Sequence, residues 1–173
     1  MDATLCLRMS RKANNAPVNT GAGCDPSVNG KGGLMLKLAF CGNDCNVCPR
    51  YIATLSGDEE QLKEAALMWK RAGWRDAVLS PEEIVCHGCS SVSWCRYGIR
   101  ECALEKGVDN CGKCQDYPCE KLLKAFERTE SYAKNIKESF SKEDYECFQK
   151  AFFLKKESLD RVNREYLSQR KGT

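Results

Sequence analysis

The chain of 173 residues is 42% hydrophobic and 29% charged, and its formal net charge is only +3. This composition is that of a globular protein and excludes bulk disorder. No apolar run approaches the roughly 20 residues that span a bilayer, and the opening stretch lacks the apolar core of a secretion signal, so we expect a cytoplasmic protein without a membrane partner.

Three parts are predicted along the chain. Residues 1–34 are rich in Asn, Gly, Ser and Pro and carry no periodic apolar pattern, which predicts a disordered or weakly ordered extension. Residues 35–126 hold most of the cysteines and are predicted to form a cysteine-rich domain. Residues 127–173 are predicted to form C-terminal helices that pack on that domain.

Two helix starts are predicted inside the cysteine-rich domain. Ser56 followed by Glu59 has the spacing of a capping box and predicts a helix that stops at Gly73. Ser80 opens a second capping box, which predicts one short helical turn that delivers Cys86.

From Glu120 onward, apolar residues recur at helical spacing. Ser141 is the predicted N-cap of a new helix in this region. We expect these helices to close a core over the cysteine-rich loops. Their apolar stripes are formed by Leu122, Leu123, Phe126, Ile136 and Phe140, then by Tyr145, Phe148 and Phe152, and last by Leu159, Val162 and Tyr166.

Thirteen cysteines against a single histidine are the outstanding feature of the composition. Cytosolic thiols stay reduced, so this density indicates metal binding rather than disulfides. A Cys-x-x-Cys turn aims two sulfurs at one ion about 2.3 Å away, and Gly88 and Gly112 suit such turns. The predicted metal ligands are Cys41, Cys45, Cys48, Cys86, Cys89, Cys102, Cys111, Cys114 and Cys119.

The spacing leaves the grouping of these ligands open. The favoured set consists of two Cys-x-x-Cys pairs separated by 21 residues, namely Cys86 with Cys89 and Cys111 with Cys114. The first cluster supplies three ligands and takes its fourth from Cys95, Cys102 or Cys119. An arrangement in which the two sets interleave is equally allowed.

Zinc is the predicted metal, with two ions, and an iron–sulfur cluster is the alternative because thiolates hold both. The step from Cys48 to Pro49 is similar to the end of ferredoxin cluster motifs. The spacing of Cys41, Cys45 and Cys48 also matches the motif of radical S-adenosylmethionine enzymes, but those enzymes need barrel strands that this sequence does not predict. A structural zinc contributes roughly 10–16 kcal/mol, against about 5–15 kcal/mol for a whole domain, so metal is expected to fold this region.

Metal binding also weakens the argument that the protein binds nucleic acid. Two four-thiolate zinc sites would change the net charge of +3 to about −1. Trp94, Arg96, Tyr97 and Arg100 interleave aromatic and cationic side chains, as surfaces that bind nucleic acid or a protein partner do. Because the whole-chain charge gives no support, packing of these aromatic residues beneath the metal is favoured, and a nucleic-acid-binding zinc module is the second alternative.

No catalytic residue is predicted. His87 is the only histidine, lies inside a cysteine turn and is expected to face solvent. Asp44 and Asp116 adjoin cysteines, but a catalytic zinc keeps an open position and usually has histidine or carboxylate ligands. Abundant thiols favour closed sites, so the sequence favours a non-enzymatic role.

Four motifs occur in order along the chain: FCGNDCNVCPRYIAT at residues 40–54, Cys86-x-Gly88-Cys89, the segment from Ile99 to Cys114 with Cys102, Lys106, Gly107 and Cys111, and Tyr117-Pro118-Cys119-x-Lys121-Leu122. Over roughly residues 38–126, these motifs resemble family 3795 of domains of unknown function. The resemblance implies a prokaryotic, metal-binding protein without an assigned activity. Gly98 stands where relatives often carry another cysteine, so Cys95 is kept apart from the nine predicted ligands. Residues 1–34 have no counterpart in the family.

Together these features predict an α-rich, small, metal-stapled domain, with irregular cysteine knuckle loops, C-terminal helices and little β structure. Its residues 35–126 form the predicted metal-binding domain. The predicted function is that of a zinc-binding protein whose metal is mainly structural, acting as an interaction module for an unidentified protein partner.

Overall fold

A computed structural model describes residues 38–89 and 95–171 of the chain. The seven helices in these ranges are α1 (Pro49–Ser56), α2 (Glu59–Arg71), α3 (Pro81–Ile84), α4 (Ile99–Glu105), α5 (Glu120–Lys137), α6 (Lys142–Phe148) and α7 (Lys155–Lys171). Short 3₁₀ turns cover Cys45–Val47 and Cys111–Lys113, and the π-helical segment Gln149–Phe153 joins α6 to α7. The predicted extension at residues 1–34 and the predicted surface residue Trp94 lie outside the described ranges.

β structure in residues 38–89 and 95–171 amounts to one isolated bridge between Leu38 and Asp44. The prediction of an α-rich fold with little β structure is therefore confirmed. Within the part of the chain that the structure describes, none of the helices combines the length and apolar character needed to cross a membrane.

The helix starts agree with the sequence at two places and differ at one. Ser80 forms the predicted capping box in front of α3, and Ser141 accepts a hydrogen bond from a backbone N–H of α6. The predicted cap Ser56 is instead the last residue of α1. Asp58 caps α2, because its carboxylate accepts from two backbone N–H groups, those of Glu60 and Gln61.

The larger core holds an aromatic cluster between α2, α6 and the π-helical segment. The Trp69 ring lies 5.4 Å from Phe148 and 5.5 Å from Phe152, in edge-to-face contacts that suit aromatic rings. Cys45 and Cys48 belong to the same buried cluster. The first cysteine turn is thus anchored on the main core.

A smaller core lies between α4, α5 and α7. Ile99 and Ala103 of α4 pack there with Leu122 and Phe126 of α5, and Leu159 of α7 is fully buried among them. Leu123 was expected in this apolar stripe, but it is 45% exposed, because it follows Leu122 directly and therefore points away from the buried face.

Candidate metal centre

Both 3₁₀ turns are Cys-x-x-Cys turns that are built in the same way. In the first turn, the side chain of Asp44 accepts a hydrogen bond from the Asn46 backbone N–H at 2.9 Å. The turn closes where the Cys48 N–H donates to the Cys45 carbonyl oxygen at 3.3 Å. An acceptor side chain before the first cysteine therefore fixes the turn, so that Asp44 has a capping role.

The second turn repeats this construction. Asn110 accepts from the Gly112 N–H at 3.0 Å, and the Cys114 N–H donates to the Cys111 carbonyl oxygen at 3.1 Å. Each turn therefore holds its two cysteines on one tight loop, which is the arrangement that lets two sulfurs approach a shared ion.

The C-terminal region supports both turns. The Asp44 N–H donates to the Ala151 carbonyl oxygen at 2.9 Å, and the Asn163 side-chain amide donates to the Gly112 carbonyl oxygen at 2.8 Å. A Cβ atom on Gly112 would lie only 2.9 Å from the Leu159 carbonyl oxygen. The second turn therefore approaches α7 at a distance that only glycine allows.

The backbone also ties the two turns to each other. The Cys111 N–H donates to the Phe40 carbonyl oxygen at 2.9 Å, which places the loop around Cys41 beside the second turn. Cys41 accordingly packs against both hydrophobic cores.

The first cysteine group comprises Cys41, Cys45, Cys48, Cys86 and Cys89. Cys45 and Cys48 are buried, and the other three are partly buried against the same core. Burial, together with the neighbouring Cys41 and Cys45, raises the pKa of the Cys89 thiol to about 12. Burial likewise raises the pKa of Cys48 to about 12, with Cys86 as a neighbouring thiol. These thiols are therefore protonated at neutral pH in the absence of a cation that favours the thiolate.

The second cysteine group comprises Cys102, Cys111, Cys114 and Cys119, which line one cavity of about 280 Å³. Cys102 comes from α4, and Cys119 is the N-cap residue of α5. Burial raises the pKa of the Cys111 thiol to about 12, and the nearby thiols of Cys41 and Cys119 add to the shift. Three separate segments thus contribute four cysteines to the lining of one cavity.

The rim of this cavity carries charged and polar side chains. Lys106 pairs with Asp116 at the edge of the cavity, and Lys121 lines it as well. The Tyr117 hydroxyl donates to Asp160 of α7 at 2.6 Å, which ties the segment before Cys119 to the C-terminal helix.

This grouping differs from the one that the spacing favoured. Cys86 and Cys89 lie with the first cluster, whereas Cys111 and Cys114 share the cavity with Cys102 and Cys119. The reason is that the hydrogen bonds of α1 hold the chain before Cys86, while α7 holds the second turn. Sequence spacing does not contain either contact.

The remaining predicted residues lie around the two groups. Cys95 packs against the smaller core, and its carbonyl oxygen accepts from the Gly98 N–H at 3.4 Å. His87 is exposed, as expected for a spacer in a cysteine turn.

The described part of the predicted aromatic and cationic surface also lies here. Arg96 is exposed, and Tyr97 is partly buried against the smaller core. Arg100 donates to the Cys89 carbonyl oxygen at 3.0 Å. Its guanidinium is thus directed toward the first cysteine group.

Among residues 38–89 and 95–171, no group of three or more cysteine, histidine or carboxylate side chains has the geometry to hold a metal ion. The two groups are assemblies of thiols brought close by the fold. That they hold metal stays a prediction.

Sequence reasoning missed several residues that position these groups. Arg50 and Thr54 of α1 bond to the chain that leads to Cys86, and Asn163 of α7 bonds to the second turn. Arg50 follows Cys48 and Pro49 within the motif at residues 40–54, and this position next to a cysteine could have indicated its role. Asn163 had no signal, because it is 51 residues from Gly112 of the second turn in the sequence.

The described chain is thus a helical, cysteine-rich protein in which the C-terminal region supports two groups of cysteines. No curated protein and no solved structure matches it. A family described as protein of unknown function (DUF3795) matches residues 37–124, and the chain belongs to that family. The resemblance noted from the motifs is therefore confirmed.

Proposed function

We propose that this protein binds metal through its two cysteine groups, with zinc as the cation and a mainly structural role for it. The observation that carries the proposal is the convergence of Cys102, Cys111, Cys114 and Cys119, from three segments of chain, on one cavity. Four thiolates match the donor set of a structural zinc site, which is closed and needs no other ligand.

The sulfur donors favour a soft cation. Burial raises the pKa values of Cys48, Cys89 and Cys111, so a cation must displace the protons of these thiols, while backbone N–H groups stabilise the thiolates of Cys48 and Cys89 in part. A thiophilic cation such as Zn²⁺ converts them into thiolate ligands and releases protons on binding.

A structural role follows from the ligand set. Four thiolates fill the coordination shell of zinc and leave no position for water or substrate. We therefore propose a metal-stapled interaction module rather than an enzyme, with a protein partner still to be identified. The staple would join α4, the turn Cys111–Lys113 and the start of α5, which otherwise share a small apolar core.

The second candidate is an iron–sulfur cluster in the cavity. Cys102, Cys111, Cys114 and Cys119 supply the four thiols that such a cluster requires. Cysteine thiolates hold such clusters as readily as zinc. Anaerobically purified protein would be brown with visible absorption if it held a cluster, and colourless if it held zinc.

The proposal is tested by counting metal ions in matched cysteine variants. Full-length protein purified under reducing, oxygen-free conditions is expected to carry about two zinc ions per chain. Cys114→Ser removes a ligand from the cavity, so this variant should lose about one ion. Elemental analysis together with a protein assay provides the measurement.

Cys95→Ser is the control, because Cys95 packs against the smaller core and is not among the residues that line the cavity. It should retain the metal content of the unmodified chain. Metal at trace level in the unmodified protein, or equal loss in both variants, would contradict the proposal.

A further inference from the structure

A buried arginine lies beside the first cysteine group. Arg50 is on α1, two residues after Cys48, and is only 5% exposed. Its guanidinium donates to two consecutive carbonyl oxygens, those of Ile84 and Val85, the second at 2.6 Å. Arg50 therefore fixes the chain immediately before Cys86.

Thr54, one helical turn further along α1, completes this attachment. Its hydroxyl accepts from the Cys86 N–H at 2.9 Å and donates to the Arg50 carbonyl oxygen at 2.8 Å. Two side chains on one face of α1 thus hold three consecutive residues that lead into the Cys86 to Cys89 turn. The same helix begins directly after Cys48, which is its N-cap residue.

These contacts place the guanidinium, which keeps its positive charge in proteins, beside the first cysteine group. A buried cation is stabilised by nearby anionic groups. Val85, whose carbonyl oxygen accepts from Arg50, directly precedes Cys86, and Cys48 lies two residues before Arg50 in the sequence. Both cysteines therefore adjoin the residues that hold the guanidinium in place.

Metal binding would allow the charge of Arg50 to stabilise the site. Zinc with four thiolates carries a net charge of about −2. A guanidinium beside two of the sulfurs would offset about half of this charge in a site that is largely shielded from water. Groups outside the ligand shell that orient and neutralise ligands commonly change metal affinity by 10–100-fold.

We propose that Arg50 is the positioning residue and counter-charge of the first metal centre, an inference that rests on the metal binding proposed above. It aligns Cys86 with Cys48 through its two carbonyl contacts, and its positive charge stabilises the loaded, anionic form of the centre. The second centre, around the cavity, does not depend on it.

The test compares Arg50→Gln with Arg50→Lys in the zinc-loaded, full-length protein. Glutamine can still donate to a carbonyl oxygen but has no charge, whereas lysine keeps the charge and loses the two-pronged geometry. Arg50→Gln is expected to weaken zinc binding at the first centre by roughly 10–100-fold. Arg50→Lys should bind about tenfold more tightly than Arg50→Gln. Competition with a coloured zinc chelator measures both affinities.

Two controls show whether a change in zinc affinity comes from the charge of Arg50. Thr54→Val removes the bond to the Cys86 N–H without a change of charge, so it should weaken the first centre only a few-fold. The affinity of the second centre should be the same in all variants and reports on folding.

Equal affinities for Arg50→Gln and Arg50→Lys would overturn the charge role, and so would equal weakening of both centres. Failure of the unmodified protein to bind zinc would instead refute the metal-binding proposal itself. The two failures are therefore distinguishable.

Discussion

Chelation of the bound metal is expected to remove amide protection from residues 38–48 and 106–119 while α2 and α6 keep theirs. The side chains that these two segments bury are mainly cysteines, whereas α2 and α6 bury Trp69 and Phe148 in the aromatic cluster. Structural zinc contributes roughly 10–16 kcal/mol, which equals or exceeds the stability of a typical domain. Hydrogen exchange followed by mass spectrometry, in reducing solution, measures protection in each segment.

The matched control is the same chelator saturated with zinc beforehand, which should leave exchange unchanged. Restoration of zinc to the stripped protein should restore protection in both cysteine segments. Metal loss is verified first. Unchanged amide protection in the two cysteine segments, or an equal loss of protection in α2 and α6, would then contradict a role for metal in folding the cysteine loops.

Gly42→Ala is expected to lower the free energy of unfolding by roughly 3–5 kcal/mol. Gly42 has a φ of +91°, a region that residues with a Cβ rarely adopt. The added Cβ would lie 2.5 Å from the Lys155 carbonyl oxygen and 2.7 Å from Leu159 Cγ. Since one of these contacts is with backbone, the substitution must push α7 away from the loop around Cys41. Urea unfolding of the metal-loaded protein gives the value.

Gly57→Ala provides a control with a similar backbone but free space. Gly57 also has a positive φ, +66°, yet nothing lies within 4 Å of the position that an added Cβ would take. Its substitution should cost only the backbone strain, roughly 1–2 kcal/mol. Equal costs for the two variants would mean that close approach of α7 to the loop around Cys41 does not contribute to stability.

Local signals in the sequence predicted the parts of the fold that depend on neighbours along the chain. Ser80 and Ser141 cap helices as expected, because each satisfies backbone N–H groups only three residues away. The helix α1 was missed, since it is short and starts directly after a cysteine. The N-cap of α2 is Asp58 rather than the predicted Ser56. The Asp58 carboxylate accepts from two backbone N–H groups, and a negative charge is favourable at the start of a helix.

The grouping of the cysteines depended on contacts that are distant in sequence. Cys111 is placed by a hydrogen bond to Phe40, and its turn is held by Asn163 of α7. A Cys-x-x-Cys spacing shows that two sulfurs can approach one ion, but it contains no information about which other turn approaches the same place. The identities of the candidate ligands were therefore predictable, and their division into two groups was not.

X-ray absorption at the metal edge tests most directly whether each group of sulfurs converges on a cation. Protein purified without oxygen should show a first coordination shell of sulfur alone, at about 2.3 Å if the metal is zinc. A shell dominated by nitrogen or oxygen, or protein without a measurable metal edge, would contradict metal binding by the two cysteine groups.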